Sequence, residues 1–201
     1  MVKEMKKGLL FIHGKGGNAK EAEHYKKLFP EDDVDGLDYR AQTPWDAKEE
    51  FCRFFDSFNE KHNHIIIVAV SLGAFLALNA FKKKPIERAY FISPIVDMEE
   101  LIRDMMKRAN VTECELKQKK VVHTDLGEDL SWKYLSYVIK NPIRWNVPTK
   151  ILYGGMDGLI SVDTMKAFAK THNADLTVME NGEHWFHTDE QMAFLDNWIS
   201  K

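Results

Sequence analysis

Apolar residues in this chain gather into short unbroken runs separated by longer stretches of helical periodicity. Leu9-Leu10-Phe11-Ile12 is such a run, stopped by His13-Gly14-Lys15-Gly16-Gly17. A run of four without polar alternation reads as a strand buried on both faces, as in a parallel sheet. Asn18 can cap a helix reaching about Phe29, with Pro30 just past its end. Val34 to Tyr39 is a second, weaker strand. Thr43 and Pro44 open a helix through about Asn59, with Thr43 as cap and Pro44 in the first turn. Residues 65–70 form the next apolar run, and a helix follows from Ser71 to near Pro85. Arg88 to Ile92, Lys150 to Tyr153 and Leu176 to Met179 complete the strands, and residues 162–171 and 188–200 the helices.

Strands that alternate with helices must pair in parallel through crossovers, which predicts an α/β class with a doubly wound, mainly parallel sheet flanked by helices. In such sheets reactive groups collect at the carboxyl ends of the strands. The interval 94–148 breaks the alternation and is too long for a plain connection. It carries an amphipathic helix with Met98, Leu101, Ile102, Met105 and Met106 at helical spacing. A β-like stretch from Val121 to Leu126 comes next, then a second helix over about Ser131 to Lys140. Two readings stand: an inserted helical cap over the catalytic edge, or two more helices covering the core. Departure from a strand's carboxyl end favours the cap. The whole of 1–201 is otherwise one domain.

The 201 residues suffice for one sizeable core, and the 44% hydrophobic and 29% charged content is that of a globular chain. A formal net charge of -3 argues against nucleic acid or an anionic membrane as main partner, since both select a concentrated positive surface. Lys82-Lys83-Lys84 and Lys117-Gln118-Lys119-Lys120 are short enough to be solvated surface, the first placed to end a helix. Two cysteines make no disulfide framework, and Cys52 falls on an apolar helical face as a buried thiol. No run approaches the ~20 apolar residues of a membrane span, and Leu9 to Ile12 is too short for a signal peptide. The expected location is cytoplasmic.

The candidate chemistry begins at Ser71, where the run Ile65-Ile66-Ile67-Val68-Ala69-Val70 ends abruptly. Ala69 and Gly73 flank the serine at minus two and plus two. A tight strand-to-helix turn that thrusts a serine oxygen outward needs small residues there, because larger side chains would clash. A nucleophilic serine needs a base, and the base needs an acid to orient it. Asp157 follows one strand directly and His184 follows the next. The order Ser71, Asp157, His184 is that of a hydrolase elbow. Backbone N–H groups for an oxyanion are expected from Leu72, at the start of the helix, and from Lys15, in the glycine-rich turn.

Other candidates weigh less. The turn lacks the spacing of a phosphate-binding loop. His187 reads as a capping or supporting neighbour of His184, and His13 as a structural group inside its loop. Asp163 is a rival acid, but it sits in a first helical turn, where a carboxylate is favoured anyway. The remaining histidines show no metal-ligand spacing. Trp132 and Trp185 either line an acyl pocket or fill core.

With Ala69-Val70-Ser71-Leu72-Gly73, Asp157, His184 and the His13-Gly14 turn in place, the chain resembles the α/β-hydrolase family of serine esterases and lipases. The likeness runs over nearly the whole chain, as a compact member beginning at what is usually the family's third strand. It implies a nucleophile at Ser71, an acid at Asp157, a base at His184 and oxyanion donors at Lys15 and Leu72. The one departure is Ala69 where the family usually has Gly. The implied activity is cofactor-free and metal-free hydrolysis of a carboxylic ester of a small or medium acyl group, through an acyl-enzyme. Met98, Met105, Trp132 and Trp185 are expected at the substrate pocket. Thioesters, amides and lactones are open to the same groups. A ligand-binding module retaining the fold is the non-catalytic alternative. The expected partner is a small ester-type molecule.

Overall fold

The computed structural model describes residues 6–125 and 127–201. They divide into two compact units: a sheet unit made of the chain up to Ile95 together with Arg144–Lys201, and a helical unit of Val96–Ile143.

Six parallel strands build the sheet unit: β1 (Lys6–Ile12), β2 (Asp33–Leu37), β3 (His62–Val70), β4 (Arg88–Ile92), β7 (Thr149–Gly154) and β8 (Asp175–Met179). Their order is β2-β1-β3-β4-β7-β8. In register, Ile12 stands beside Ala69, Ala69 beside Phe91, and Phe91 beside Ile151, so the strand ends that follow line up along one edge. Because side chains alternate along a strand, the apolar runs feed two cores. Leu9, Phe11, Val68, Tyr90, Ile92 and Leu152 pack with Tyr25 from the short helix α1 (Glu23–Lys26) and with Leu195, Trp198 and Ile199 from α8 (Asp189–Ile199). The alternate set, including Leu10, Ile12, Ile67 and Phe91, is equally buried. On that side α2 (Pro44–Asn59) and α3 (Ser71–Ala80) contribute a cluster in which Phe81 meets Phe51 at 5.7 Å and Phe55 at 5.1 Å between ring centroids. Helices on both faces make the sheet doubly wound. Helix α7 (Val162–Thr171) joins β7 to β8. Apart from Leu72, every residue of α3 is buried. A helix apolar all round can only be an interior one.

In the sheet unit three elements differ most from the sequence expectation. The helix expected from Asn18 to Phe29 is a 3-10 turn (Ala19–Ala22) followed by the single turn of α1. The Asn18 side chain accepts from Lys20 N–H at 3.0 Å, and Glu21 Oε1 accepts from Asn18 N–H at 2.9 Å. These short-range bonds hold the tighter helix. Helix α3 ends at Ala80 rather than near Pro85. Beyond it Lys84 folds back onto α2, with its ammonium on Asp56 at 2.5 Å and over the Phe55 ring. Strand β3 begins at His62, before the apolar run, because Lys6 and Lys7 of β1 pair with His62 and His64, and the buried His62 ring has Nδ1 2.7 Å from the Phe58 carbonyl oxygen. Cys52, expected buried, is half-buried with its thiol directed at the Ala80 carbonyl, and Cys114 is exposed.

In the helical unit, α4 (Met98–Arg108) is capped by Asp97 and buries Met98, Ile102 and Met106. Helix α5 (Glu113–Lys119) escaped the apolar pattern because Leu116 is its one buried residue. Lys117 and Lys119 sit in its exposed last turn. The β-like stretch from Val121 shrinks to β5 (Val121–Val122), paired antiparallel with β6 (Leu130–Ser131). Leu126 lies outside the described residues. Helix α6 (Trp132–Lys140) follows, capped by Ser131, and Lys117 Nζ stands 5.7 Å from the Trp132 ring centre. No helix among the described residues is long and apolar enough to cross a membrane.

Candidate active site

Ser71 is the first residue of α3, directly after β3, and its φ is +49°. That left-handed backbone is uncommon for a residue with a side chain and marks a strained turn. The residue before it, Val70, is extended and supplies no side-chain cap to the helix. The free N–H groups of the first turn of α3, Leu72 among them, therefore face the strand edge with the positive pole of the helix dipole.

The ends of β7 and β8 are locked together by backbone bonds. Gly155 N–H donates to Met179 C=O at 2.8 Å, and Met156 N–H donates to Gly182 C=O at 2.9 Å. A Cβ on Gly155 would lie 2.5 Å from the Glu180 carbonyl oxygen, so only glycine lets the two loops approach this far. The joined loops present Asp157 and His184 to one another. His184 Nδ1 stands 2.6 Å from Asp157 Oδ2, and His184 Nε2 stands 2.8 Å from Ser71 Oγ. Asp157 Oδ1 accepts the Leu159 N–H at 2.8 Å, and the Asp157 side chain is only 1% exposed. A carboxylate only accepts, so Nδ1 carries the proton in that pair. In the neutral ring Nε2 is then left as an acceptor facing the Ser71 hydroxyl.

The turn after β1 closes with Gly17 N–H on Gly14 C=O at 3.1 Å, and Gly16 takes a φ of +78° at its third position. Positive φ there is the mark of a type II turn. A Cβ on Gly14 would sit 3.4 Å from Ser71 Cβ, so the turn lies directly against the serine.

The rival residues stand elsewhere. His187 is exposed, with Nδ1 at 2.8 Å from the Trp185 carbonyl oxygen. Asp163 is exposed in the first turn of α7. His13 is buried, stacked on Tyr39 at 4.2 Å, and its carbonyl accepts the Tyr39 hydroxyl at 2.8 Å. The sequence reading missed Tyr39 as the support of this loop, since 26 residues separate the pair and no local pattern links them. Burial pushes the Tyr39 phenol well above its ordinary value, with Glu21 and Glu50 adding to the shift. Among the described residues no cluster of three or more metal-ligating side chains occurs.

A cavity of about 480 Å³ opens beside the Gly14–Gly17 turn, lined entirely by the sheet unit. Trp185 stands at it, 67% exposed, and so does not fill core. Met98, Met105 and Trp132 belong to the helical unit.

No family sequence profile matches the chain, and no curated protein matches it by sequence. Solved structures do match in shape. The α/β hydrolase domain-containing protein 10 from mouse aligns with a TM-score of 0.74 at 16% identity, over 96% of this chain and 87% of its own. Est1E from Butyrivibrio proteoclasticus aligns at 0.71 and 15% identity, over 100% of this chain and 91% of its own. The Pyrococcus furiosus esterase Pf2001 aligns at 0.62 and 19% identity, over 98% and 81%. The chain has the α/β-hydrolase fold.

Proposed function

We propose that the protein is a serine hydrolase acting on a carboxylic ester of a small molecule. The observation that carries this reading is the unbroken line from Asp157 Oδ2 through His184 to Ser71 Oγ, at 2.6 and 2.8 Å. In the proposed reaction Ser71 Oγ bonds to the ester carbonyl carbon while its proton passes to His184 Nε2. The oxyanion is held by the N–H groups of Lys15 and Leu72. The C–O bond to the alcohol then breaks, and the leaving oxygen takes the proton from Nε2. Water, deprotonated by the same nitrogen, attacks the acyl-enzyme and restores Ser71. Asp157 keeps Nδ1 protonated and stabilises the imidazolium formed in each half. The strained serine and the uncapped helix start support this reading, because fixed N–H dipoles need no reorganisation when charge develops. Thioesters, amides and lactones are open to the same groups, and ester-bearing substrates are the first to be tried.

The helical segment leaves the chain after β4 and returns before β7, whose end carries Asp157. In this reading residues 94–148 form a cap that selects substrates. The decisive experiment is labelling with a fluorophosphonate. The protein should be modified once, at Ser71, and a folded Ser71→Ala variant should not react. Labelling of another serine would reject the assignment.

A further inference from the structure

The cavity beside the Gly14–Gly17 turn shares Lys15 with the chemistry above, and the rest of its lining has no role there. Its floor is Phe11, Val70 and Ile92, the last side chains of three neighbouring strands on one face of the sheet. Tyr25, Phe186 and Leu195 form the walls. Phe11 and Tyr25 stack on each other at 5.1 Å between centroids and are nearly fully covered, so the aromatic surface left open to the cavity is that of the half-buried Phe186 and the exposed Trp185. Lys15, Glu21, His24 and His187 are the charged and titratable side chains of its lining. Glu21 is held by the Asn18 N–H and His24 by Asp196, with Nε2 at 2.6 Å from Oδ1.

The position of the cavity ties it to Ser71. Val70 precedes the serine in sequence, Gly14 packs against it, and Trp185, Phe186 and His187 follow His184 directly. A cavity of this size, with a mainly apolar lining and a few polar groups, has the character of a small-molecule site. Aromatic rings meeting edge-to-face or offset add to what burial alone supplies. An aliphatic chain draws only on the burial.

We propose that this cavity binds an aryl group of the substrate, so that the enzyme's esters carry a phenyl-type ring a few bonds from the scissile carbonyl. This rests on the serine-hydrolase reading for its catalytic meaning, but the binding itself does not depend on it. The ring can belong to the acid or to the alcohol half of the ester, and the test separates the two.

Binding is measured by calorimetry on Ser71→Ala protein with phenylpropanoate, phenylethanol and hexanoate, and turnover on the wild type with ethyl acetate, ethyl phenylpropanoate, phenylethyl acetate and ethyl hexanoate. One aryl compound should bind at least about tenfold more tightly than hexanoate, the equivalent of ~1.4 kcal/mol. The ester with its ring in the same half should then show the highest kcat/KM. Met192→Trp, at a half-buried position of α8 that lines the cavity, should remove the preference by filling it. Phe186→Ala should weaken it by removing a wall. Both variants are checked for cooperative melting, and either one alone suffices. Equal or stronger binding of hexanoate overturns the aryl assignment. An aryl preference unmoved by the folded variants overturns the location. Failure of Ser71 to label, with aryl binding retained, overturns the hydrolase reading and leaves the cavity assignment standing.

Discussion

The carbonyl oxygen of His13 occupies the space in which a side chain on Gly73 would begin. The glycine two residues after Ser71 therefore serves the loop across from it as much as its own turn. Without a Cβ at position 73, the end of β1 packs onto the first turn of α3, and the Lys15 turn is brought against the serine. Gly73→Ala should push these apart. A displacement of about 1 Å at a reacting centre costs roughly 10²-fold in rate. The expected outcome is a drop of that order in kcat and in the rate of fluorophosphonate labelling, in a protein that still folds. Wild-type kinetics in the alanine variant would show that the two segments adjust freely.

His184 and His187 should separate cleanly by mutation. His184→Ala should lower kcat by several orders of magnitude, as removal of a triad base does. His187→Ala should cost far less, because its Nδ1 is directed at a backbone carbonyl and its ring is exposed. A reversed ranking in steady-state kinetics would move the base.

Asp157→Asn keeps the shape of the side chain but loses the acceptor that fixes the proton on Nδ1. A loss of about 10⁴ in kcat is expected from the wrong imidazole tautomer. Asp163→Asn, on the exposed start of α7, should leave kcat close to wild type. Equal effects in the two variants would show that Asp157 acts through folding alone.

Alkaline pH should destabilise the fold through two tyrosines. Burial pushes the phenols of Tyr25 and Tyr39 far above the ordinary value of ~10. Above that pH the unfolded chain loses both protons while the folded chain keeps them, so unfolding is progressively favoured. Their contribution is complete below about pH 10 and fades as pH rises beyond it. Urea melts at stepped pH should show stability falling from there. Tyr39→Phe should flatten the fall, at the expense of the bond to the His13 carbonyl. An unchanged slope in Tyr39→Phe would remove this tyrosine from the account.

Met105 tests the role of the helical segment. It is half-buried on α4, whereas Met98, Ile102 and Met106 are buried. Met105→Trp should shift preference among esters by about tenfold if the segment selects substrates, the size a hydrophobic contact can discriminate. A lower melting temperature with unchanged preference would assign the segment to packing.

What could be read from the chain follows the range over which each cause acts. Apolar runs located the central strands, which are buried on both faces, while the edge strand β2, with two acidic residues and a burial that alternates, left only a weak trace in the sequence. The strand-end positions of Ser71, Asp157 and His184 followed from that alternation alone. Elements stabilised by distant or polar partners were harder to read. The helix after Asn18 is a 3-10 turn and a single α turn ending at Lys26, a change of helix type that the apolar pattern does not mark. Helix α5 has a single buried side chain and thus no periodicity to detect. The clamp of Tyr39 on His13 and the cavity beside Gly14 join segments far apart in sequence, and only the folded chain brings them together.

The interior character of α3 has a consequence for how the protein fails. Ser71 begins a helix whose other residues, apart from Leu72, are buried. Amide protons in such an element exchange with solvent only when most of the molecule opens. The serine is therefore mounted on a part of the chain that should be among the last to loosen on heating, so activity and global structure should disappear together instead of the site fraying first.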